Sequence, residues 1–354
     1  MALSKLTPSQ AATTIKTCIR MNRPLMLWSS PGVGKSDTVK QIAQDLDAQV
    51  VDIRLSMWDS VDFRGIPSTA NGTTTWNPPA ILPFVDNPKF DPQKLVLLFL
   101  DEAMQAMPSV QSVAFQLILD RAVGEHKLMD NVRIIMASNR QQDRGGANRM
   151  ATPLANRLTH IELVSDLDSW CTWAFSHNKN PLVVAFLRLK PDLLDLFEQT
   201  VNPTLPANVT RKVNVGDLAF PTPRSWAVVA DILEQNLPTH ERLPLITGTI
   251  GESPATELEA FLRTWERMPN IDGILMNPAS APVPTEPDIL HSVAAALVSR
   301  ANKGNFPSIY EYVTRLPDEF AMLILKDATG KKAELMTTKT FSQAAVKYAA
   351  VWQD

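Results

Sequence analysis

Residues Ser29 to Ser36 read Ser-Ser-Pro-Gly-Val-Gly-Lys-Ser, between an apolar run, Pro24 to Trp28, and a helix-forming stretch, Asp37 to Leu46. A strand, a glycine-rich turn and a helix in that order make a phosphate-binding loop, and no other feature constrains the fold as tightly. Gly32 and Gly34 let the backbone turn back on itself and aim successive N–H groups at one point, where the following helix adds the positive end of its dipole. The candidate phosphate-binding residues are therefore Ser30, Pro31, Gly32, Val33, Gly34, Lys35, Ser36 and Asp37. Lys35 is placed to reach the β- and γ-phosphates of a nucleotide, and the Ser36 hydroxyl to ligate Mg²⁺. One position departs from the G-x-x-x-x-G-K-[ST] pattern: Ser29 stands in place of the first glycine, at the strand-to-loop junction, where a small residue suffices.

Leu95 to Leu100 is a run of six apolar residues followed by Asp101 and Glu102. A run of this kind reads as a strand buried on both faces in a parallel sheet. Such a strand delivers its terminal carboxylates to the carboxyl edge, where an open α/β sheet keeps its ligands. Asp101 is placed there to hold Mg²⁺ through the metal's water shell, and Glu102 to polarise the water that attacks the γ-phosphate. A third strand, Val132 to Ala137, ends in Ser138-Asn139, and the Asn139 amide can orient that water beside Glu102.

Taken in order, these features resemble the AAA+ ATPases. The resemblance implies an α/β fold, an αβα P-loop sandwich with a parallel sheet, followed by a helical lid, with ATP and Mg²⁺ as cofactors. Thr152 to Glu162 looks like the family segment that closes the nucleotide domain with an arginine finger, which maps to Arg157. Phe220-Pro-Thr-Pro-Arg-Ser-Trp226 looks like the start of the lid helix carrying a second sensor arginine, which maps to Arg224. Thr222 suits an N-cap and Pro223 the first helical position, so Arg224 falls in a first turn, where it opposes the helix dipole and calls for an anion. As a finger, Arg157 lies at the end of its own strand, facing away from its own Lys35, and so acts on a neighbour's phosphate. That implies a homo-oligomeric ring, most simply a hexamer.

The chain spends 42 residues between Asp52 and Leu95, where the family minimum is a helix and a connection. Within them, residues 66–76 place Asn71-Gly72 between threonine-rich flanks, the signal of a two-residue hairpin turn. A hairpin inserted at this point resembles the MoxR-like, helix-2-insert branch of the AAA+ proteins, with Asp62 to Gly65 and Trp76 to Leu82 similar to its flanks. A second short hairpin is expected at Arg121 to Lys127. A looser similarity to bacterial and phage MoxR-like proteins runs on through Gly251-Glu252 and Leu316 to Phe320. This branch implies a partner bearing a von Willebrand factor A (VWA) domain and chaperone-like remodelling of it.

At 354 residues the chain is too long for one ordinary domain. The expected division is 1–165 for the nucleotide domain, 166–240 for a helical lid and 241–354 for a helical extension. Thr7-Pro-Ser-Gln10 is a capping box that starts a helix over 8–20, and Ser165 to Asp168 caps the helix that opens the lid. A connector rich in proline and asparagine, Val201 to Pro221, crosses the lid; Asn277 to Pro287, with four prolines, excludes a helix and reads as an extended strap.

The 34 basic and 37 acidic residues nearly cancel, leaving no electrostatic footprint for nucleic acid. Cys18 and Cys171 cannot make a disulfide framework, Met1 to Leu6 lacks the apolar core of a signal peptide, and no segment approaches a membrane span, so a cytoplasmic location is expected. The five histidines never take metal-ligand spacing with cysteines or acids, and Trp170 with Trp173 reads as a helix core stripe. Arg140, Arg144, Arg149 and Arg157 read either as a solvated face or, in a ring, as groups meeting the next subunit's nucleotide, with Gly145-Gly146 between them. Two other function classes stay open. A nucleic-acid motor or loader could use the same core, although the tip Ser68 to Thr75 has no lysine or arginine; a nucleotide-dependent switch is the other. Asn178-Lys179-Asn180-Pro181 lacks the aspartate of a guanine-reading motif, and no Ser-Gly-Gly-Gln signature is present.

Overall fold

The computed structural model describes residues 3–70, 72–140, 143, 148, 150–197, 218–265 and 269–348. The chain divides into two compact units, Met1–Ser165 and Asp166–Asp354.

The first unit is built on six parallel strands: β1 (Lys5–Leu6), β2 (Leu25–Ser29), β3 (Gln49–Arg54), β6 (Val96–Asp101), β9 (Val132–Asn139) and β10 (Thr159–Leu163), in the spatial order β1-β10-β2-β9-β6-β3. The unbroken apolar run in β6 follows from helices covering both faces of the sheet. Leu97 and Phe99 point into one core with Ile15 of α1 (Pro8–Arg20) and Val39 and Ile42 of α2 (Lys35–Asp45). Val96, Leu98 and Leu100 point into the other, with Phe63 of α3 (Ser60–Arg64) and Val110, Ala114 and Leu117 of α4 (Pro108–Asp120). This is an αβα P-loop sandwich. Each of these β6 side chains is almost fully buried, and each contributes on the order of 2 kcal/mol over an exposed position. A charge in the middle of the run would lose that burial and carry a desolvation penalty. α1 begins at the expected capping box, with Thr7 and Gln10 bonded reciprocally.

Two hairpins leave this sandwich. In the first, β4 (Ile66–Ala70) pairs antiparallel with β5 (Thr73–Asn77); Ala70 faces Thr73, which leaves two residues for the turn. Gly72 takes φ +74°, and Asn71 lies outside the described residues. At the root, Gly65 takes φ +86°, and a Cβ there would stand 1.8 Å from the Asn77 carbonyl oxygen. Beside it the Arg64 guanidinium lies 4.1 Å from the Trp76 ring centroid. The second hairpin pairs β7 (Ala122–Val123) with β8 (His126–Lys127) across Gly124 at φ +57°, as its sequence foretold. A short helix, α5 (Thr152–Ala155), leads into β10.

The second unit is helical: α6 (Leu167–Ser176), α7 (Pro181–Leu189), α8 (Pro223–Glu234), α9 (Thr239–Ile250), α10 (Glu252–Trp265), α11 (Ile271–Met276), α12 (Pro287–Arg300), α13 (Phe306–Val313), α14 (Asp318–Lys331) and α15 (Lys339–Lys347). It opens where Asp166 caps α6 by accepting the Ser169 N–H at 2.8 Å. Trp170, Phe186, Trp226, Leu258, Val293, Leu297, Tyr312 and Ile324 share one core, so helices on both sides of residue 240 contribute to it. α12 packs against both α7 and α14. Residues 277–286 are non-helical, and Tyr312 of α13 holds them by donating its hydroxyl to the Pro282 carbonyl at 2.9 Å. The connector expected at Val201 to Pro221 lies outside the described residues up to position 217. Arg188 of α7 meets Asp327 of α14 at 2.6 Å; burial pushes the Asp327 carboxyl up to about 6 despite that guanidinium. Burial also holds the nearby His291 down to about 4 and pushes the Cys171 thiol up to about 12. No helix among the described residues is long and apolar enough to cross a membrane.

Candidate nucleotide-binding and hydrolysis site

Parallel pairing brings the ends of β2, β6 and β9 to one edge of the sheet. Ser29 stands opposite Asn139 in the register of β2 with β9, and Asp101 closes β6 on the far side of β9. From Ser29 the chain turns through Gly32 at φ +80° and Gly34 at φ +103° into α2, and Gly34 is the N-cap. The left-handed region strains any residue with a Cβ, which is why glycine occupies both positions. No side chain caps α2, and its amino terminus, with the positive end of the helix dipole, suits an anion.

Lys35 lies across this edge, donating from Nζ to Ser29 Oγ at 2.8 Å and to Asn139 Oδ1 at 2.9 Å. Ser29 is fully buried and its hydroxyl donates in turn to the Ser30 carbonyl at 2.6 Å. The serine in the first glycine's place is thus a holder of the lysine, a part that glycine could not play. Ser36 donates from Oγ to Asp101 Oδ2 at 3.0 Å, which brings together the two residues assigned to the metal.

Glu102 follows at φ +55°, a left-handed conformation that costs a non-glycine residue on the order of 1–3 kcal/mol. Two bonds hold it there: its N–H donates to Asp101 Oδ1 at 2.8 Å, and the next N–H, that of Ala103, donates to the Ala137 carbonyl at 2.9 Å. The twist turns the Glu102 side chain off the strand, where it accepts a hydrogen bond from the Ser56 hydroxyl in the turn after β3.

The arginines divide. Arg140 is buried, donating to Glu162 at 2.8 Å, to Asp143 at 2.9 Å and to the Ser30 hydroxyl of the phosphate loop. It therefore belongs neither to a solvated face nor to a surface offered to a neighbour; the carboxylates of β10 and Asp143 draw it inward. Arg144, Arg149 and the glycine pair Gly145-Gly146 lie outside the described residues. Arg157 is exposed and forms no ion pair among the described residues. It precedes β10 rather than ending a strand, and Thr159 pairs with Leu25 at the start of β2. That places Arg157 beyond the amino edge of the sheet, roughly 15 Å of strand from the phosphate loop at the opposite edge. Arg224 is exposed in the first turn of α8, behind a Thr222/Ser225 capping box, in the second unit.

The residues at the carboxyl edge fit a magnesium nucleotide. Uncapped amides and an ammonium suit phosphate oxygens, and a hydroxyl 3.0 Å from a carboxylate is the hard oxygen pair that Mg²⁺ takes. Sequence reasoning passed over Ser56, the ties of Arg140 and the ring of His160. Ser56 and Glu102 are 46 residues apart and Arg140 and Ser30 are 110 apart, so only folding makes them neighbours. For Arg140 one local sign existed, the aspartate three residues on.

Residues 24–158 match the family model of the AAA domain, dynein-related subfamily. No curated protein matches the chain. Among solved structures, the chain is similar to the P216G mutant of RuvB from Thermotoga maritima, at 14% identity over 84% of this chain and 86% of that one, with a TM-score of 0.38. It is also similar to NtrX from Brucella abortus in complex with ADP, at 15% identity over 73% and 67% of the two chains, with a TM-score of 0.35. With the phosphate loop, the paired carboxylates and Asn139 all inside the matched segment, residues 24–158 form an AAA domain of the dynein-related subfamily.

Proposed function

We propose that the chain is a Mg²⁺-dependent ATPase of the MoxR-like AAA+ type that assembles into a ring, a hexamer, and remodels a partner protein. The observation that carries the ATPase reading is the meeting of Lys35, Ser29 and Asn139 at one sheet edge, beside the Ser36–Asp101 pair. In this reading the first turn of α2 and Lys35 bind the phosphates, and Ser36 and Asp101 hold the metal. Bound Mg²⁺ supplies charge neutralisation for phosphoryl transfer. Glu102 polarises the attacking water and Asn139 orients it. Because Lys35 already contacts Asn139, a bound γ-phosphate would replace the neutral amide oxygen with an anionic acceptor for the ammonium and would free Asn139 for the water.

Arg157 stands at the edge opposite its own phosphate loop, and that position supports action on a neighbouring subunit. Residues 166–240 act as a lid carrying Arg224, and 241–354 as an extension. The hairpin of β4 and β5 supports placement in the helix-2-insert branch, and the resemblance to that branch is what supports a VWA-domain partner. The test mixes Arg157→Ala subunits with Glu102→Gln subunits. Each parent is inactive alone, and mixed rings recover turnover where an intact Glu102 faces an intact Arg157. Inactivity at every ratio, in rings shown to be mixed, rejects the assignment in trans.

A further inference from the structure

The side chain of Arg157 is exposed, so its placement depends on its backbone. Its N–H donates to the Leu154 carbonyl at 2.9 Å, and Leu154 and Leu158 on either side are buried in the core. A helix as short as α5 leaves its last carbonyls without partners of its own. The Ala155 carbonyl accepts the Leu158 N–H at a long 3.4 Å, and β10 supplies a closer partner: His160 Nε2 lies 2.8 Å from the same oxygen. The other ring nitrogen, Nδ1, lies 3.0 Å from the indole Nε1 of Trp28, and the two rings stack at an interplanar angle of 17°.

An indole N–H only donates and a carbonyl oxygen only accepts. The His160 ring satisfies both only as the neutral tautomer with its proton on Nε2, so that Nδ1 accepts from Trp28 and Nε2 donates to Ala155. Trp28 immediately precedes Ser29, whose hydroxyl holds Lys35. The path from the carboxyl edge to the end of the helix that presents Arg157 thus runs by a side-chain bond from Lys35 to Ser29, along the backbone of β2 to Trp28, and by side-chain bonds from Trp28 to His160 and on to the Ala155 carbonyl.

We infer that His160 is a positioning residue for Arg157, fixing the end of α5 and tying it to the strand that enters the phosphate loop. The inference rests on the reading of Arg157 as a finger acting on a neighbour. Two substitutions separate its two bonds. In His160→Gln the amide reaches about as far as Nε2 and donates to Ala155; in His160→Asn the shorter amide keeps an acceptor near Trp28 but stops short of Ala155. The Asn variant is expected to lose about 10- to 100-fold in kcat, since a finger displaced by an ångström loses its alignment, with KM for ATP within about 2-fold of wild type. The Gln variant is expected to keep kcat within about 3-fold.

The deciding measurement mixes His160→Asn with Glu102→Gln subunits, beside the Arg157→Ala mixture as control. Turnover above both parents is expected, because the Asn subunit's own site is intact and takes its arginine from the Glu102→Gln neighbour. Recovery in the control without recovery for His160→Asn overturns this inference and leaves the finger standing. No recovery in either overturns both. Wild-type kcat in the Asn variant also overturns it, and so does failure of that variant to assemble by light scattering, since His160 would then hold the fold rather than the arginine.

Discussion

Replacing Arg140 by methionine tests what the guanidinium does at the centre of the first unit. The side chain is 9% exposed and sits between the carboxylates of Asp143, 1% exposed, and Glu162, 11% exposed. Arg140→Met keeps most of the volume and removes the guanidinium that both carboxylates share, leaving Glu162 only the more distant Lys5 ammonium at 4.0 Å. Removing one partner of a buried pair costs about 3–5 kcal/mol, because the remaining charge has lost its solvent and its partner together. For a unit of this size that corresponds to a fall in Tm of roughly 6–20 °C. The triple variant Arg140→Met, Asp143→Asn, Glu162→Gln removes the stranded charges as well and should recover more than half of the loss. Calorimetry gives the magnitudes, and hydrogen exchange in β2 and β10 assigns the change to the first unit. A loss under about 1 kcal/mol in the single variant, or equal losses in the single and triple variants, refutes the reasoning.

The other expectations concern binding, the hairpin and pH. Lys35→Ala should weaken ATP binding itself, read by direct titration, because it removes the charge assigned to the β- and γ-phosphates; unchanged binding counts against the loop as a phosphate site. Glu102→Gln should leave binding intact while reducing turnover by at least ~10²-fold. Replacing residues 70–73 with a short glycine linker should preserve basal turnover and assembly while abolishing remodelling of the partner; a parallel fall in assembly by light scattering would show that the hairpin buttresses the subunit instead. In the second unit, the Asp327 carboxyl at about 6 binds its proton more tightly folded than unfolded. Its contribution is therefore greatest below its ordinary value of 3.8 and is lost as pH rises to about 6, on the order of 3 kcal/mol in all. Asp327→Asn should remove that slope from the variant's stability curve, so that the difference between wild type and variant falls from pH 4 to 6. His291, held down to about 4, runs the opposite way, its contribution complete above its ordinary value of 6.5 and lost on acidification toward 4. A difference curve flat from pH 4 to 6 would count against the buried Asp327.

What was legible in the sequence was the part written in consecutive residues. The run from Leu95 to Asp101 announced a doubly covered strand because each of its side chains needs a core on one face or the other, and the glycines at 32 and 34 announced the loop because few residues accept their backbone angles. Asn71-Gly72 between threonines likewise located the hairpin, and Thr7 with Gln10 the start of α1. The site's remaining detail lies in pairings across the chain, and there the local signal fails. Ser29 read as a tolerated substitution because nothing nearby shows that Lys35 folds back onto it. Arg140 read as one of a surface series because charge spacing carries no information about Glu162, two strands away. The place of Arg157 at the amino edge rather than a strand end follows from the parallel register of β10, which no stretch of residues encodes by itself.

The root of the first hairpin sets a boundary on what can vary in this protein. Where Gly65 enters and Asn77 leaves, the two backbones touch, and no side chain fits between them. Beyond that crossing, residues 66–69 and 72–75 are exposed two-stranded ribbon stabilised by its own cross-strand pairs, with Trp76 half-buried beneath Arg64 at the base. The outer part of the hairpin is therefore an exchangeable cassette: it can lengthen, shorten or change its side chains without disturbing β6 or the phosphate loop, provided the glycine at its neck and the Arg64–Trp76 contact at its root are kept.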